Sequence, residues 1–302
     1  MLLSDSHIHT MFSSDSEENP VNVVNNAISL GFKHICFTDH NDFDAPLEDG
    51  KVMFDLDFPE YIKYFQNLKE SYKNKINIHI GVEQGLMRSV ADRVNAYDSA
   101  KQLDFIIGSS HLVYGEDPYY PEFWEKRSAK DTVLTYYESI LDNLGCCHNF
   151  DVYGHLDYIA RYIPANSYTY NWHDFNDLIC IILKTIIEQG KGIEVNTAGL
   201  KYGMPEPNPC LDIVKMYHDL GGEIITVGSD AHEVKFLLTD LMSWLICLRT
   251  QDLITTQYLM KESLSSSDYD ELRLIYIHVS YLHLLHTSVK SEAVRWKNYF
   301  SR

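Results

Sequence analysis

The chain has 302 residues, 45% of them hydrophobic, which is enough for one large α/β domain or two smaller ones and too apolar for a disordered polymer. Its net charge of −18 lies in residues 1–232, where 35 Asp and Glu face 17 Lys and Arg, while residues 233–302 hold 8 of each. So acidic a body argues against a nucleic-acid backbone as partner, and no apolar run reaches the roughly 20 residues of a membrane span.

Along the chain, apolar β-rich runs alternate with helical patterns, and each run ends in residues able to bind a metal ion. The first run, residues 2–3, leads into Asp5, His7 and His9. Two histidines two residues apart on an extended segment point to one face and can share one ion. A helix is predicted over 20–30, stopped by Gly31. The second run, 34–38, ends in Asp39 and His40. Residues 41–59 are acidic and loop-like, with Asp42, Asp44, Glu48, Asp49, Asp55 and Asp57. A helix over 60–72 precedes the third run, 76–82, which ends in Glu83. The fourth, 105–108, ends in Ser109, Ser110 and His111, and the Tyr-, Pro- and acid-rich stretch 114–124 follows it. This stretch and 41–59 are expected to be loops over the strand ends, either lids or plain surface loops. Helices over 131–144, 175–189 and 210–220 separate the last three runs. These are 152–154 into His155 and Asp157, 192–193 into Glu194 and Asn196, and 223–228 into Asp230 and His232.

Strand then helix, repeated, predicts right-handed crossovers and a parallel sheet or barrel whose strand C-termini share one face. Seven polar strand ends then converge on one pocket. Residues 233–302 contain no Gly and no Pro and read as helical, for instance over 240–248 and 271–285. His278, His283 and His286 in that tail fit an ordinary interface better than a metal site. Six cysteines (Cys36, Cys146, Cys147, Cys180, Cys210 and Cys247) show no CxxC spacing, so reduced and mostly buried thiols are expected. The first residues lack the basic-then-apolar pattern of a secretory leader, and a cytoplasmic location is expected.

Asp5-Ser6-His7-Ile8-His9, Thr38-Asp39-His40, Gly81-Val82-Glu83, Ser110-His111, Gly154-His155-Leu156-Asp157 and Gly228-Ser229-Asp230-Ala231-His232 follow one another in this order. Together they resemble the polymerase and histidinol phosphatase (PHP) superfamily over about residues 1–232. Further cues resemble its histidinol-phosphate phosphatases: Asp117-Pro118-Tyr119-Tyr120, Arg161-Tyr162, and Glu194 to Tyr202 followed by Pro207 and Pro209. The resemblance implies a distorted seven-stranded parallel β/α barrel with three divalent metal ions at the strand C-termini. After His232 the family pattern stops, and 233–302 is expected to be a helical C-terminal extension packed on the barrel, either a divergent terminus or the result of a reading-frame change.

Carried onto this sequence, the resemblance gives one ion to His7, His9, Glu83 and Asp230, and a second, bridged by Glu83, to His111 and His155. The third falls to Asp15, His40 and His232. Six imidazoles and three carboxylates suit Zn, Fe or Mn, not the all-oxygen cages of Ca or Mg. Asp5, Asp39 and Asp157 either hold imidazole tautomers or cap strand ends. The implied reaction is hydrolysis of L-histidinol phosphate in histidine biosynthesis, by attack of a hydroxide shared between two metals, with Glu83, Asp230 and Arg161 as catalytic residues. Arg161 and Lys201 are expected on phosphate, Asn196 on substrate or a water, and Glu116 and Asp117 on an ammonium group. The expected partner is therefore a small phosphorylated substrate, with no nucleic acid and no membrane. The alternatives are a PHP phosphodiesterase or nucleotide phosphatase on the same centre, or a metal-storing or interaction module. The last would be expected to lack ligands, yet all nine are present.

Overall fold

The apolar runs pair side by side in parallel, as segments covered on both faces do. The computed structural model describes residues 4–47, 53–96, 101–237 and 244. Its strand segments are β1 (Ser4–Ile8), β2 (His34–Phe37), β3 (His40–Asn41), β4 (Asn77–Gly85), β5 (Phe105–Ser109), β6 (Val152–Tyr153), β7 (Gly192–Asn196) and β8 (Ile225–Gly228). The order is β1-β2-β4-β5-β6-β7-β8, and β3 pairs with β4 as β2 does. β2 and β3 are therefore one strand broken at Thr38 and Asp39. At that break the Thr38 N–H donates to the Ile8 carbonyl at 2.9 Å, while Glu83 N–H approaches the carbonyls of both Thr38 and Asp39. β1 meets β8 through a parallel bridge between Ile8 and Ala231, with His9 N–H donating to the Ala231 carbonyl at 3.0 Å and Asp230 N–H to that of His7 at 2.9 Å. The result is the expected distorted, nearly closed barrel of seven parallel strands.

The helices are α1 (Pro20–Ser29), α2 (Phe58–Tyr72), α3 (Ala91–Ala96), α4 (Pro121–Trp124), α5 (Ala129–Leu144), α6 (Asn176–Glu188), α7 (Ala198–Lys201) and α8 (Leu211–Asp219). Side-chain caps set their starts: Asn19 accepts from Val21 N–H at 2.9 Å, Asp57 from Glu60 N–H at 3.1 Å, and Ser128 from Asp131 N–H at 3.2 Å. α2 and α5 begin two residues earlier than the apolar pattern suggests, because Asp57 and Ser128 cap them. α3, α4 and α7 are too short to show a helical period and were not expected. Each longer helix lays an apolar stripe on the sheet; from α2, for example, Phe65 packs on Phe37 of β2 with ring centroids 4.5 Å apart. Among the described residues no helix is long and apolar enough to cross a membrane.

Both loops expected over the strand ends border the same cavity, through Ala45, Pro46 and Phe54 from one and Asp117 and Tyr120 from the other. Glu48, Asp49, Cys247, the helix expected over 271–285, that expected over 240–248 except for Trp244, and His278, His283 and His286 lie outside the described residues. So does the packing expected of the tail.

Two glycines at strand ends leave room that the site uses. A Cβ on Gly228 would strike the Cβ of His7 and come 2.6 Å from Glu194 Oε1, and one on Gly154 would strike Ser109 Oγ. Gly228→Ala is expected to cost about 1–3 kcal/mol of stability by overpacking, measured by urea unfolding in the presence of a chelator. An unchanged midpoint would mean that this contact is soft.

Candidate metal centre

Glu83, near the end of β4, is 1% exposed, and imidazoles from four strand ends surround its carboxylate. Its Oε1 lies 2.9 Å from His155 Nε2 and 3.1 Å from His111 Nε2. Its Oε2 lies 3.1 Å from His7 Nε2, 3.1 Å from His40 Nδ1 and 3.4 Å from His9 Nε2. Asp230 Oδ1 stands 3.4 Å from His9 Nε2 and 3.5 Å from His232 Nδ1. Asp15 closes the outer side, 3.0 Å from His232 Nε2 and 3.6 Å from His40 Nε2. All nine residues singled out as ligands are thus brought together. Three sets of donor atoms each lie within 4.8 Å of one another: His7, His9 and Asp230; His40, Glu83 and His111; and His9, His40 and His232. The grouping differs from the expected one in that His40 sits between two sets, while His155 and Asp15 flank them. Asp230 adopts φ +52°, a left-handed conformation that costs a non-glycine residue about 1–2 kcal/mol.

Three imidazoles are held by their outer nitrogens. His7 Nδ1 meets Glu194 Oε1 at 2.6 Å, His9 Nδ1 meets Ser13 Oγ at 3.0 Å, and His111 Nδ1 meets Asp42 Oδ1 at 2.8 Å. With Nδ1–H donating outward, the Nε2 lone pairs face inward, as in metal-bound histidines. None of Asp5, Asp39 and Asp157 bonds directly to an imidazole nitrogen. Asp5 accepts from Ser229 and His7 N–H across the seam between β1 and β8. Asp39 accepts from Thr10 and from Ser13 Oγ, and reaches His9 only through that serine. Asp157 accepts from Asn208 Nδ2 at 2.6 Å, and Asn208 Oδ1 in turn accepts from Arg161 Nε at 2.8 Å. The orienting roles of Glu194, Ser13 and Asp42 were not foreseen. Glu194 was visible as a polar strand end, but its partner lies 187 positions away.

Burial opposes charge on all these groups. Even so, His7, His111 and His40 hold Glu83 well below the usual carboxylate range, and His7 with the bond from His9 does the same for Asp230. In return, against burial, Asp42 and Glu83 raise His111 to about 10, and Asp15 and Glu83 raise His40. His9 and His155 move the other way, lowered chiefly by burial. The residues fit a cation. Glu83 Oε2 and His40 Nδ1 are 3.1 Å apart, yet both are buried without a hydrogen bond. His7 Nε2 and His9 Nε2 face each other at 2.9 Å. Inward lone pairs beside buried carboxylates are what a divalent ion with N/O preference satisfies.

Above the centre opens a cavity of about 620 Å³. Arg161 lines it, its guanidinium 4% exposed and fixed by Asn208 Oδ1 at 2.8 Å and Asn196 Oδ1 at 2.9 Å, with Asp230 Oδ2 at 3.4 Å. Asn196 is engaged at both ends, since its Nδ2 contacts Glu194 Oε2 at 3.2 Å and Asp230 Oδ2 at 3.3 Å. Lys201 stands exposed at the rim, 4.0 Å above the Phe236 ring. Asp117 lines the cavity. Glu116 is not among its lining residues and pairs with Lys126 at 2.6 Å.

Residues 5–198 match the PHP domain family. The histidinol-phosphatase of Lactococcus lactis subsp. lactis is 33% identical over 234 residues, covering 76% of this chain and 84% of that protein. A probable histidinol-phosphatase of Clostridium acetobutylicum is 31% identical over 234 residues, 76% of this chain and 87% of that protein. The crystal structure of histidinol phosphate phosphatase from Lactococcus lactis subsp. lactis, complexed with zinc, L-histidinol and phosphate, superposes with a TM-score of 0.71 at 31% identity. That superposition covers 83% of this chain and 92% of that one. With its barrel, its strand-end imidazoles and these relatives, the chain belongs to the PHP domain family.

Proposed function

We propose that this chain is a metal-dependent phosphomonoesterase that hydrolyses L-histidinol phosphate to L-histidinol and phosphate. One observation carries this reading. The imidazole-ringed Glu83 and a buried, pre-oriented guanidinium, Arg161, face the same cavity, in a chain 33% identical to a histidinol-phosphatase. Cytoplasmic histidine biosynthesis is the setting it implies, and residues 5–232 contain every group it needs.

His7, His9, Glu83 and Asp230 would hold one ion, Glu83 with His111 and His155 a second, and Asp15, His40 and His232 a third, each zinc, iron or manganese. When bound, such ions supply Lewis acidity at the phosphoryl oxygens and acidify the attacking water. The chain's own residues do the rest. Arg161 binds the phosphoryl oxygens. Its Nε and one terminal nitrogen are occupied by Asn208 and Asn196, and the other stands 3.4 Å from Asp230 Oδ2, which fixes the guanidinium at the cavity wall. Being pre-oriented, it needs little reorganisation as charge shifts in the transition state. Asn196 therefore positions Arg161. Lys201 adds a second positive charge at the rim. Asp117, which lines the cavity as Glu116 does not, receives the ammonium group of the amino alcohol.

The direct test is phosphate release by the metal-loaded protein from L-histidinol phosphate, a nucleoside monophosphate and a dinucleotide. The first should be favoured in kcat/KM by at least about 100-fold. Fastest cleavage of the dinucleotide would place the chain among phosphodiesterases instead.

Two variants separate phosphate binding from metal binding. Wild type should approach three ions per chain, as the nine ligands gathered round Glu83, Asp230 and Asp15 imply. Arg161→Ala should keep them and lose about 2–4 kcal/mol of transition-state stabilisation, with weaker inhibition by inorganic phosphate. Glu83→Ala should lose ions as well as rate, as metal analysis after gel filtration will show. Unchanged phosphate inhibition in Arg161→Ala would move the anchoring role to Lys201 or to the metals.

A further inference from the structure

We propose that Asp42 is a positioning residue of the metal centre, which holds His111 with one carboxylate oxygen and closes the cleft between His40 and Glu83 with the other. The inference rests on the reading of this centre as a metal site. Asp42 comes two residues after His40, just past the end of β3, and lines the cavity. Its Oδ1 lies 2.8 Å from His111 Nδ1, and the other nitrogen of that ring lies 3.1 Å from Glu83 Oε1. One carboxylate thus orients the imidazole that faces the other.

The second oxygen makes the stronger case. Asp42 Oδ2 is buried without a hydrogen-bond partner, 3.7 Å from His40 Nδ1. His40 Nδ1 is buried and unpartnered too, as is Glu83 Oε2, 3.1 Å from it. His40 Nδ1 thus lies between two buried carboxylate oxygens that lack hydrogen bonds, an unfavourable arrangement that positive charge in the cleft would relieve. Asp42 Oδ2 is therefore aimed at the cleft where the donor atoms of His40, Glu83 and His111 gather.

The surrounding backbone is shaped to keep it there. Asp42 N–H donates to the Phe54 carbonyl at 2.8 Å, and the Asp42 carbonyl accepts from Ala45 N–H at 3.2 Å, which fixes where the side chain starts. On β4, residue 85 is a glycine, and a Cβ there would stand 2.6 Å from the Asp42 carboxyl carbon. The absent side chain of Gly85 is the space that the carboxylate occupies.

Asp42→Asn and Gly85→Ala test this. The first keeps the shape and an acceptor for His111 but places an amide group or a neutral oxygen in the cleft. The second displaces Asp42 without changing its charge, and so reads the same interaction if Asp42→Asn does not fold. Metal affinity is measured by competition with a chromophoric chelator, and unfolding temperature with and without zinc. Each variant should bind one ion about 10- to 100-fold more weakly. The metal-dependent rise in unfolding temperature should shrink, while chelator-treated Asp42→Asn unfolds no lower than chelator-treated wild type. Equal affinity for every ion in wild type and both variants overturns the proposal. So does a loss of stability that is the same with and without metal, which would make Asp42 only an anchor for its loop. A wild type that takes up no metal overturns the metal reading itself, and is distinguishable from both outcomes.

Discussion

A carboxylate that is 1% exposed is stable only if positive charge or hydrogen bonds reach it inside the protein, and Glu83 is reached by imidazoles from four strand ends. That requirement governs the barrel around it. His40 and Glu83 are register partners of β3 and β4, and Glu83 stands opposite Ile107 on β5. Slippage by one residue would turn Glu83 to the other face of the sheet and leave the imidazoles without their common anion. The same Glu83 N–H reaches the carbonyls of Thr38 and Asp39 at the break between β2 and β3, so the irregularity of the barrel and the position of the centre have one origin.

Around this core, carboxylates and glycines come in pairs. Glu194 fits beside His7 because Gly228 has no side chain, and its Oε2 also accepts from His155 N–H at 3.1 Å. Asp42 fits beside His111 because Gly85 has none. Farther out, Asp39 acts on His9 through Ser13, and Asp157 on Arg161 through Asn208. Ligand nitrogens and the guanidinium are thus placed by groups behind them, of which only Asp42 also lines the cavity, an arrangement that sets direction before any ion or substrate arrives.

The strands were visible in the sequence because they are buried on both faces and lead out of apolar runs, and eight of the nine ligands because they follow such runs; Asp15, in a turn between β1 and α1, came only with the family resemblance. What stayed hidden depends on contacts distant in sequence. Asp42 was one acid among several in an acidic stretch, and only the fold brings it to His111, 69 positions away. Asp5 and Asp157 stand two positions before a histidine and two after one, a spacing that fits tautomer control and capping equally. In the folded chain the donors they meet are backbone N–H groups, Ser229 and Asn208. Glu116 and Asp117 are adjacent, yet only Asp117 lines the cavity. The four-residue helices α4 and α7 are too brief for any period to betray them.

Anomalous diffraction from crystals grown with zinc, recorded on either side of its absorption edge, bears most directly on whether Glu83 organises a metal centre. Peaks should appear among the imidazoles within about 2.0–2.2 Å of a Glu83 oxygen and of inward histidine nitrogens. Zinc found only at surface residues, with the Glu83 pocket holding water, would contradict it.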